Sequence, residues 1–207
     1  MAVADPKQPL IPMAISVRHV HLTQPTIDQL FGRGYVLHVH APLSQPGQFA
    51  AEETVTLVGP RARIPHVRIV GPPRAADQVE LSQTDEIELG VAAPVRESGD
   101  LAQTPGITIE GPQGRVTIDH GVICALRHIH MSPAEAEALR LKDKARVAVA
   151  VTSKDRKLIF GDVIVRVSPN YRLELHLDTD EGNAAGLHSG EQVLLAEISN
   201  SLGEGPR

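Results

Sequence analysis

The chain has 207 residues, enough for one large domain or two small ones with a real core. Its 42% apolar and 22% charged residues are those of a soluble globular protein, and with only 2% aromatics and no Trp the core must come from Val, Ile, Leu and Ala. A net charge of −5 and the lack of aromatic stacking platforms argue against a nucleic-acid partner. No apolar run approaches the roughly 20 residues of a membrane span, so no membrane partner is expected. Met1–Pro12 has neither the basic nor the apolar region of a signal peptide. The single Cys124 excludes an intrachain disulfide and a Cys-rich zinc knuckle. It fits a reducing compartment, and a cytoplasmic protein is expected.

In chain order, Met13–Val17 reads as a short strand leading into Ser16-Val17-Arg18-His19-Val20-His21-Leu22-Thr23. Thr23-Gln24-Pro25 is a loose helix start, and Ile27, Leu30 and Phe31 give Thr26–Phe31 a helical spacing that stops at Gly32. Tyr35–His40 alternates as a strand, with Val36 and His38 on one side and Leu37 and Val39 on the other. Its His38-Val39-His40 is read as plain surface strand. Pro42–Phe49 is a turn-rich loop centred on Pro46-Gly47, with an ordered role near a site. Strands follow at Thr54–Val58, Val67–Val70 and Gln78–Leu81, the last carrying Glu80. Thr84–Leu89 is one or two helical turns ended by Gly90.

From Thr54 to Ala76 there is no acidic residue, yet Arg61, Arg63, Arg68, Arg74 and His66 all fall there. Such a segment suits an anionic small molecule, because the planar guanidinium grips phosphate oxygens in pairs; a solvated strand is the plainer alternative. Thr56-Leu57-Val58-Gly59-Pro60 is echoed by Thr108-Ile109-Glu110-Gly111-Pro112. Short strands punctuated in this way indicate small barrels or sandwiches.

Val116–Ala125 runs into Ala125-Leu126-Arg127-His128-Ile129-His130-Met131-Ser132, and Ser132-Pro133-Ala134-Glu135 is a capping box that starts a helix over Ala134–Leu141. Strands are expected at Arg146–Thr152, Lys157–Phe160, Val163–Val167 and Arg172–Asp178. In the last of these Leu173, Leu175 and Leu177 face inward while Glu174, His176 and Asp178 share the other face. His176 is placed either to join a metal site or to lie on the surface. Asp178–Asn183 fits a helix N-cap better than a calcium loop. The polar tail after Ile198 is expected to fray.

The Arg-His-aliphatic-His-apolar-hydroxyl pattern thus occurs twice, 109 positions apart (19 to 128), each time before a Pro and a helix start. On a strand, residues i and i+2 point to one face about 6.5–7 Å apart. Each copy therefore presents two imidazoles together, and imidazole is the commonest metal ligand among side chains. One His-x-His is a weak signal; two in one frame point to metal. Arg18 and Arg127 are suited either to substrate or to a carboxylate partner. Cys124 is a rival nucleophile but packs more naturally as a small buried side chain.

These residues resemble the metal-dependent phosphotransacylases of the propanediol-utilisation type, the phosphate propanoyltransferase family. The matching features are Ser16-Val17-Arg18-His19-Val20-His21, Pro42-Leu43-Ser44-Gln45-Pro46-Gly47-Gln48-Phe49-Ala50 and Gly71-Pro72-Pro73-Arg74. They continue in Gln78-Val79-Glu80, Arg127-His128-Ile129-His130-Met131 and Leu175-His176-Leu177-Asp178-Thr179-Asp180. The resemblance implies a mainly β fold of two small β-barrel domains capped by short α-helices, with the N-terminal strand completing the C-terminal barrel. One domain would span 18–125 and carry the Arg-rich segment; 1–17 and 126–207 would form the second, with the active site at their interface.

It further implies two zinc ions held among His19, His21, Glu80, His128, His130 and His176. Arg74 would hold phosphate, and coenzyme A would lie near Ser16, Arg68, Val70, His176 and Asn183. Ala41 departs from relatives that carry a basic residue before the Pro-Leu-Ser-Gln loop. Members sent into microcompartments have a longer amphipathic N-terminal extension than Met1–Ile11, so a free cytoplasmic enzyme is expected. The implied reaction interconverts a short-chain acyl-CoA, such as propanoyl- or acetyl-CoA, plus phosphate with acyl phosphate plus CoA. The partners are those substrates, and a homo-oligomer is compatible with the sequence. The alternatives are a metal-dependent thioester or phosphoester hydrolase and a non-catalytic, zinc-stabilised binding protein.

Overall fold

A computed structural model of the chain describes residues 9–152 and 156–196; the tail expected to fray lies outside them, as does most of the segment before Leu10. No helix among the described residues is long and apolar enough to cross a membrane. The chain divides into two compact units, one made of Met1–Ile15, Arg127–Leu177 and Glu181–Arg207, the other of Ser16–Leu126 with Asp178–Asp180.

The first unit is a closed six-stranded barrel. Its strands are β1 (Leu10–Ser16), β11 (His128–Met131), β12 (Arg146–Val151), β13 (Leu158–Val167), β14 (Glu174–Asp178) and β15 (Gln192–Ala196), in the order β1-β14-β11-β13-β12-β15. β1 pairs antiparallel with β15, so the start of the chain closes a barrel built mostly from its end. Closure removes the free edges that an open sheet exposes. Alternation does the rest: in β12, Val147, Val149 and Val151 are buried while the residues between them are not. Ile11, Met13, Ile129, Met131, Val165 and Leu175 fill the interior with the same logic.

The second unit is a half-barrel sheet of nine strands. β2 (His19–His21), β3 (Val39–Pro42), β4 (Phe49–Val58), β5 (Arg63–Gly71), β6 (Gln78–Leu81), β7 (Val95–Arg96), β8 (Ile107–Glu110), β9 (Arg115–Ile118) and β10 (Val122–Ala125) run in the order β7-β10-β6-β2-β5-β4-β8-β9, with β3 paired to β4. The echoed segments of the sequence are antiparallel neighbours, with Thr56 opposite Glu110 and Val58 opposite Thr108. The core of this unit is aliphatic, with Val20, Leu22, Ile27, Leu30, Leu57, Ile69 and Ile109 all fully enclosed.

Among the described residues four short helices decorate the sheets: α1 (Gln24–Phe31), α2 (Gln83–Leu89), α3 (Pro133–Ala138) and α4 (Thr179–Ala185). α3 starts in the expected reciprocal capping box between Ser132 and Glu135. It is shorter than the spacing suggests, ending at Ala138 just before Arg140 turns to a positive φ of 54°. α1 lacks a carboxylate at the corresponding position. Asp77 supplies it from elsewhere, accepting the Thr23 backbone N–H and the Thr26 hydroxyl, each at 2.6 Å. The strand expected over Tyr35–His40 is confined to Val39–Pro42. The His38 N–H donates to the Glu53 carboxylate instead of a ladder carbonyl, which leaves Leu37 buried and Val39 exposed against the expected alternation.

Candidate metal centres

In both units the polar face of the key strands is buried. All four residues of β6 and all four of β11 are enclosed, including Gln78, Glu80, His128 and His130. Burying polar groups is costly unless they are hydrogen-bonded or coordinate a metal.

In the second unit β2 pairs antiparallel with β6, setting His19 opposite Glu80 and His21 opposite Gln78. The His19 Nδ1–H donates to the Val17 carbonyl at 2.8 Å and the His21 Nδ1–H to the Val70 carbonyl at 3.1 Å. A carbonyl only accepts, so in the neutral imidazole each of these bonds puts the ring proton on Nδ1 and leaves a lone pair on Nε2. The two Nε2 atoms are 3.1 Å apart, and each lies 3.6 Å from a Glu80 oxygen. Burial, the largest influence, pushes the His21 pKa down to about 4, so this ring is neutral near pH 7.

Lone pairs converging at such distances call for a cation. Ligands about 2.0–2.1 Å from a tetrahedral zinc stand roughly 3.4 Å from one another, which the three separations straddle. Glu80 is itself held: Gln78 Nε2 donates to its Oε1 at 2.5 Å and the Ser98 hydroxyl donates to the same oxygen at 3.0 Å. Carbonyls behind the imidazoles and donors behind the carboxylate are the supports that orient metal ligands.

In the first unit β11 pairs antiparallel with β14, placing His128 opposite His176 and His130 opposite Glu174. The three imidazoles form a near-equilateral triangle, with centroid separations of 4.6, 4.9 and 5.0 Å. Tyr171 stacks on His130 at 4.0 Å. A Glu174 oxygen lies 3.0 Å from His176 Nε2, without the angle of a hydrogen bond. In each of the two groups the ligand atoms all lie within 4.8 Å of one another, so each offers a metal ion three protein ligands. Three ligands leave a tetrahedral position open, as catalytic zinc requires.

The other residues singled out in the sequence fall as follows. Arg74 is half-buried, its N–H bonded to the Leu22 carbonyl at 2.9 Å and its guanidinium reaching the Ser98 hydroxyl at 3.3 Å. Arg68, opposite His19 in the parallel pairing of β2 with β5, donates to the carbonyls of Ala51 and Glu52. Ser16 ends β1, Val70 supplies the carbonyl behind His21, and Asn183 is exposed on α4.

Within the Arg-rich segment, Arg63 pairs with Glu110. Arg18 pairs with Asp85 at 3.1 Å and Arg127 with Glu181 at 2.8 Å, the carboxylate option for both. Cys124 is buried. His38 pairs with Glu53 and stands outside both ligand groups. Sequence reasoning missed Ser98, which sits in a loop with no periodicity. It also missed Gln78 as a support, although the two-residue spacing from Glu80 signals a shared strand face.

A family model described as phosphate propanoyltransferase matches residues 12–188. Among curated proteins, the phosphate propanoyltransferase of Thermotoga maritima is 53% identical over 93% of this chain and 91% of its own length. That of Shewanella putrefaciens is 48% identical over 92% and 90%. The Salmonella typhimurium protein of the same name is 50% identical over 87% and 85%.

Proposed function

We propose, on the premise that this chain belongs to the phosphate propanoyltransferase family, that it moves a short acyl group between coenzyme A and phosphate with two zinc ions, one in each three-ligand group. Membership makes it an acyltransferase that interconverts acyl-CoA plus phosphate with acyl phosphate plus CoA. Propanoyl- and acetyl-CoA are the acyl donors proposed, and the cytoplasm the compartment. The observation that carries the metal reading is the converging lone pairs of His19, His21 and Glu80 at 3.1–3.6 Å.

His19, His21 and Glu80 hold one ion; His128, His130 and His176 hold the other. Zinc, when bound, supplies charge that orients phosphate and stabilises negative charge developing on the thioester oxygen. Arg74 clamps phosphate, its planar fork matching two oxygens and turning a bimolecular encounter into a positioned one. A phosphate oxygen attacks the thioester carbon, the new C–O bond replaces C–S, and the thiolate leaves, so no covalent acyl-enzyme is required. Ser16, Arg68, Val70, His176 and Asn183 contact coenzyme A in this reading. The anchoring of Arg68 to two backbone carbonyls fits a fixed positive charge for a phosphate of that cofactor.

The test measures zinc content together with thiol release from an acyl-CoA series, with and without phosphate. The proposal expects two zinc per chain and phosphate-dependent release accompanied by acyl phosphate. Thiol release that is independent of phosphate would identify a hydrolase instead. Zinc binding with no turnover, and unfolding on chelation, would identify a zinc-stapled binding protein.

A further inference from the structure

We infer that Ser98 is a positioning residue that ties the placement of Arg74 to the metal ligand Glu80; the inference rests on the reading of these two residues given above. Ser98 lies in the turn after β7, where the Asp100 N–H bonds back to the Glu97 carbonyl at 2.9 Å. Its hydroxyl proton goes to Glu80 Oε1 at 3.0 Å, while its oxygen accepts from Gln78 Nε2 at 2.8 Å and Arg74 Nη1 at 3.3 Å. One hydroxyl thus touches both the carboxylate assigned to the metal and the guanidinium assigned to phosphate.

Gln78 keeps it there. Its Nε2 reaches both Ser98 and Glu80, and its Oε1 accepts the Gly99 N–H at 2.9 Å, which pins the turn carrying Ser98. Gln78 is 2% exposed and Glu80 7%, so water does not readily replace these bonds. The direction of charge follows from the chain of donors: Arg74 donates to Ser98, and Ser98 donates to Glu80. An anion that holds Arg74 in this position also holds the hydroxyl that steadies Glu80, and whatever fixes Glu80 fixes Arg74. By linkage, occupation at either end favours occupation at the other.

Ser98→Ala removes the hydroxyl without adding bulk, and Ser98→Thr keeps it. Zinc affinity of the apo protein, read by competition with a chromogenic chelator, should fall about 10-fold in Ser98→Ala, the usual effect of losing a support behind a metal ligand. Ser98→Thr should restore it. With saturating zinc, Ser98→Ala should raise the KM for phosphate several-fold more than it lowers kcat. Inorganic phosphate should tighten zinc binding in the wild type and do so less in Ser98→Ala, measured by equilibrium dialysis against a protein-free control.

Unchanged zinc affinity and unchanged phosphate KM in Ser98→Ala would overturn the inference. So would a loss that Ser98→Thr does not restore. A wild-type protein that binds no zinc would instead overturn the metal assignment itself, and the two failures are separately visible.

Discussion

His19 and Glu80 face each other across the antiparallel pairing of β2 and β6, and His128 and His176 stand in the same relation between β11 and β14. In both units the first histidine of the His-x-His strand meets the third member of its candidate metal-binding group directly across the ladder. The second histidine meets a polar residue, Gln78 in one case and Glu174 in the other. Each histidine strand also has a parallel neighbour on its other side, β5 or β13. The duplication seen in six residues of sequence therefore extends to the surrounding sheet.

That repeated geometry predicts separable metal sites. Glu80→Ala and His176→Ala should each bind one zinc fewer than the wild-type protein, and the double variant two fewer, by elemental analysis after dialysis. Each single variant should lose most phosphate-dependent turnover. Full turnover in a Glu80→Ala protein that has lost its ion would remove Glu80 from the site.

Much of this was readable in the sequence because strand periodicity fixes which side chains share a face. His19 with His21 and His128 with His130 follow from spacing alone; Glu80 is placed beside them only by the family resemblance, because the pairing of β6 with β2 joins residues 61 positions apart in the chain (19 to 80). The capping box at Ser132 was equally local, and the echo of Thr56–Pro60 in Thr108–Pro112 was visible as a pattern, though not that the two segments pair antiparallel. What escaped was long-range. Asp77 caps a helix more than fifty residues earlier in the chain, and the Glu53 carboxylate captures the His38 N–H and shortens a strand. Ser98 gains its importance only from a turn pinned by Gln78. None of these partners leaves a periodic trace.

Cys124 offers a test of direct displacement. It is buried on β10, its Sγ 3.8 Å from Asp178 Oδ2, where it packs as a small enclosed side chain. Cys124→Ala should keep phosphate-dependent turnover within about twofold while costing on the order of 1 kcal/mol of stability. A folded variant without turnover, or an acyl group trapped on the protein and absent in the variant, would restore the covalent route.

The His38–Glu53 pair sets a pH window. The bond from Glu53 raises the His38 pKa above its ordinary 6.5. Burial pushes Glu53 up, but bonds from the His38 ring, backbone N–H groups and Tyr35 outweigh it and leave its pKa below 4.5. The histidine's contribution is therefore complete below pH 6.5 and is lost as pH rises through its higher folded value. The carboxylate's contribution is complete above 4.5 and is lost as pH falls through its lower one. Both act together between those limits. Imidazole NMR should show His38 titrating above 6.5 in the wild type and returning toward 6.5 in Glu53→Gln; a wild-type value at or below 6.5 would contradict the pairing.

The barrel's dependence on β1 gives a prediction about stability rather than chemistry. Ile11 is fully buried and Met13 is 1% exposed, both within the aliphatic interior that Val193 and Leu175 help to fill. β1 is held to β15 by the register of Leu10 to Leu194 and Ile11 to Val193, and the Met13 N–H and carbonyl bond Glu191 and Gly190. Truncating Ile11 to Ala removes three carbons from a space its neighbours cannot refill without breaking that register. The cost should be about 2–4 kcal/mol in denaturant unfolding. Leu10→Ala, one residue away but 52% exposed, should cost far less. If the two substitutions destabilise equally, β1 is an ornament on a barrel that closes without it; the expected inequality makes it a stave.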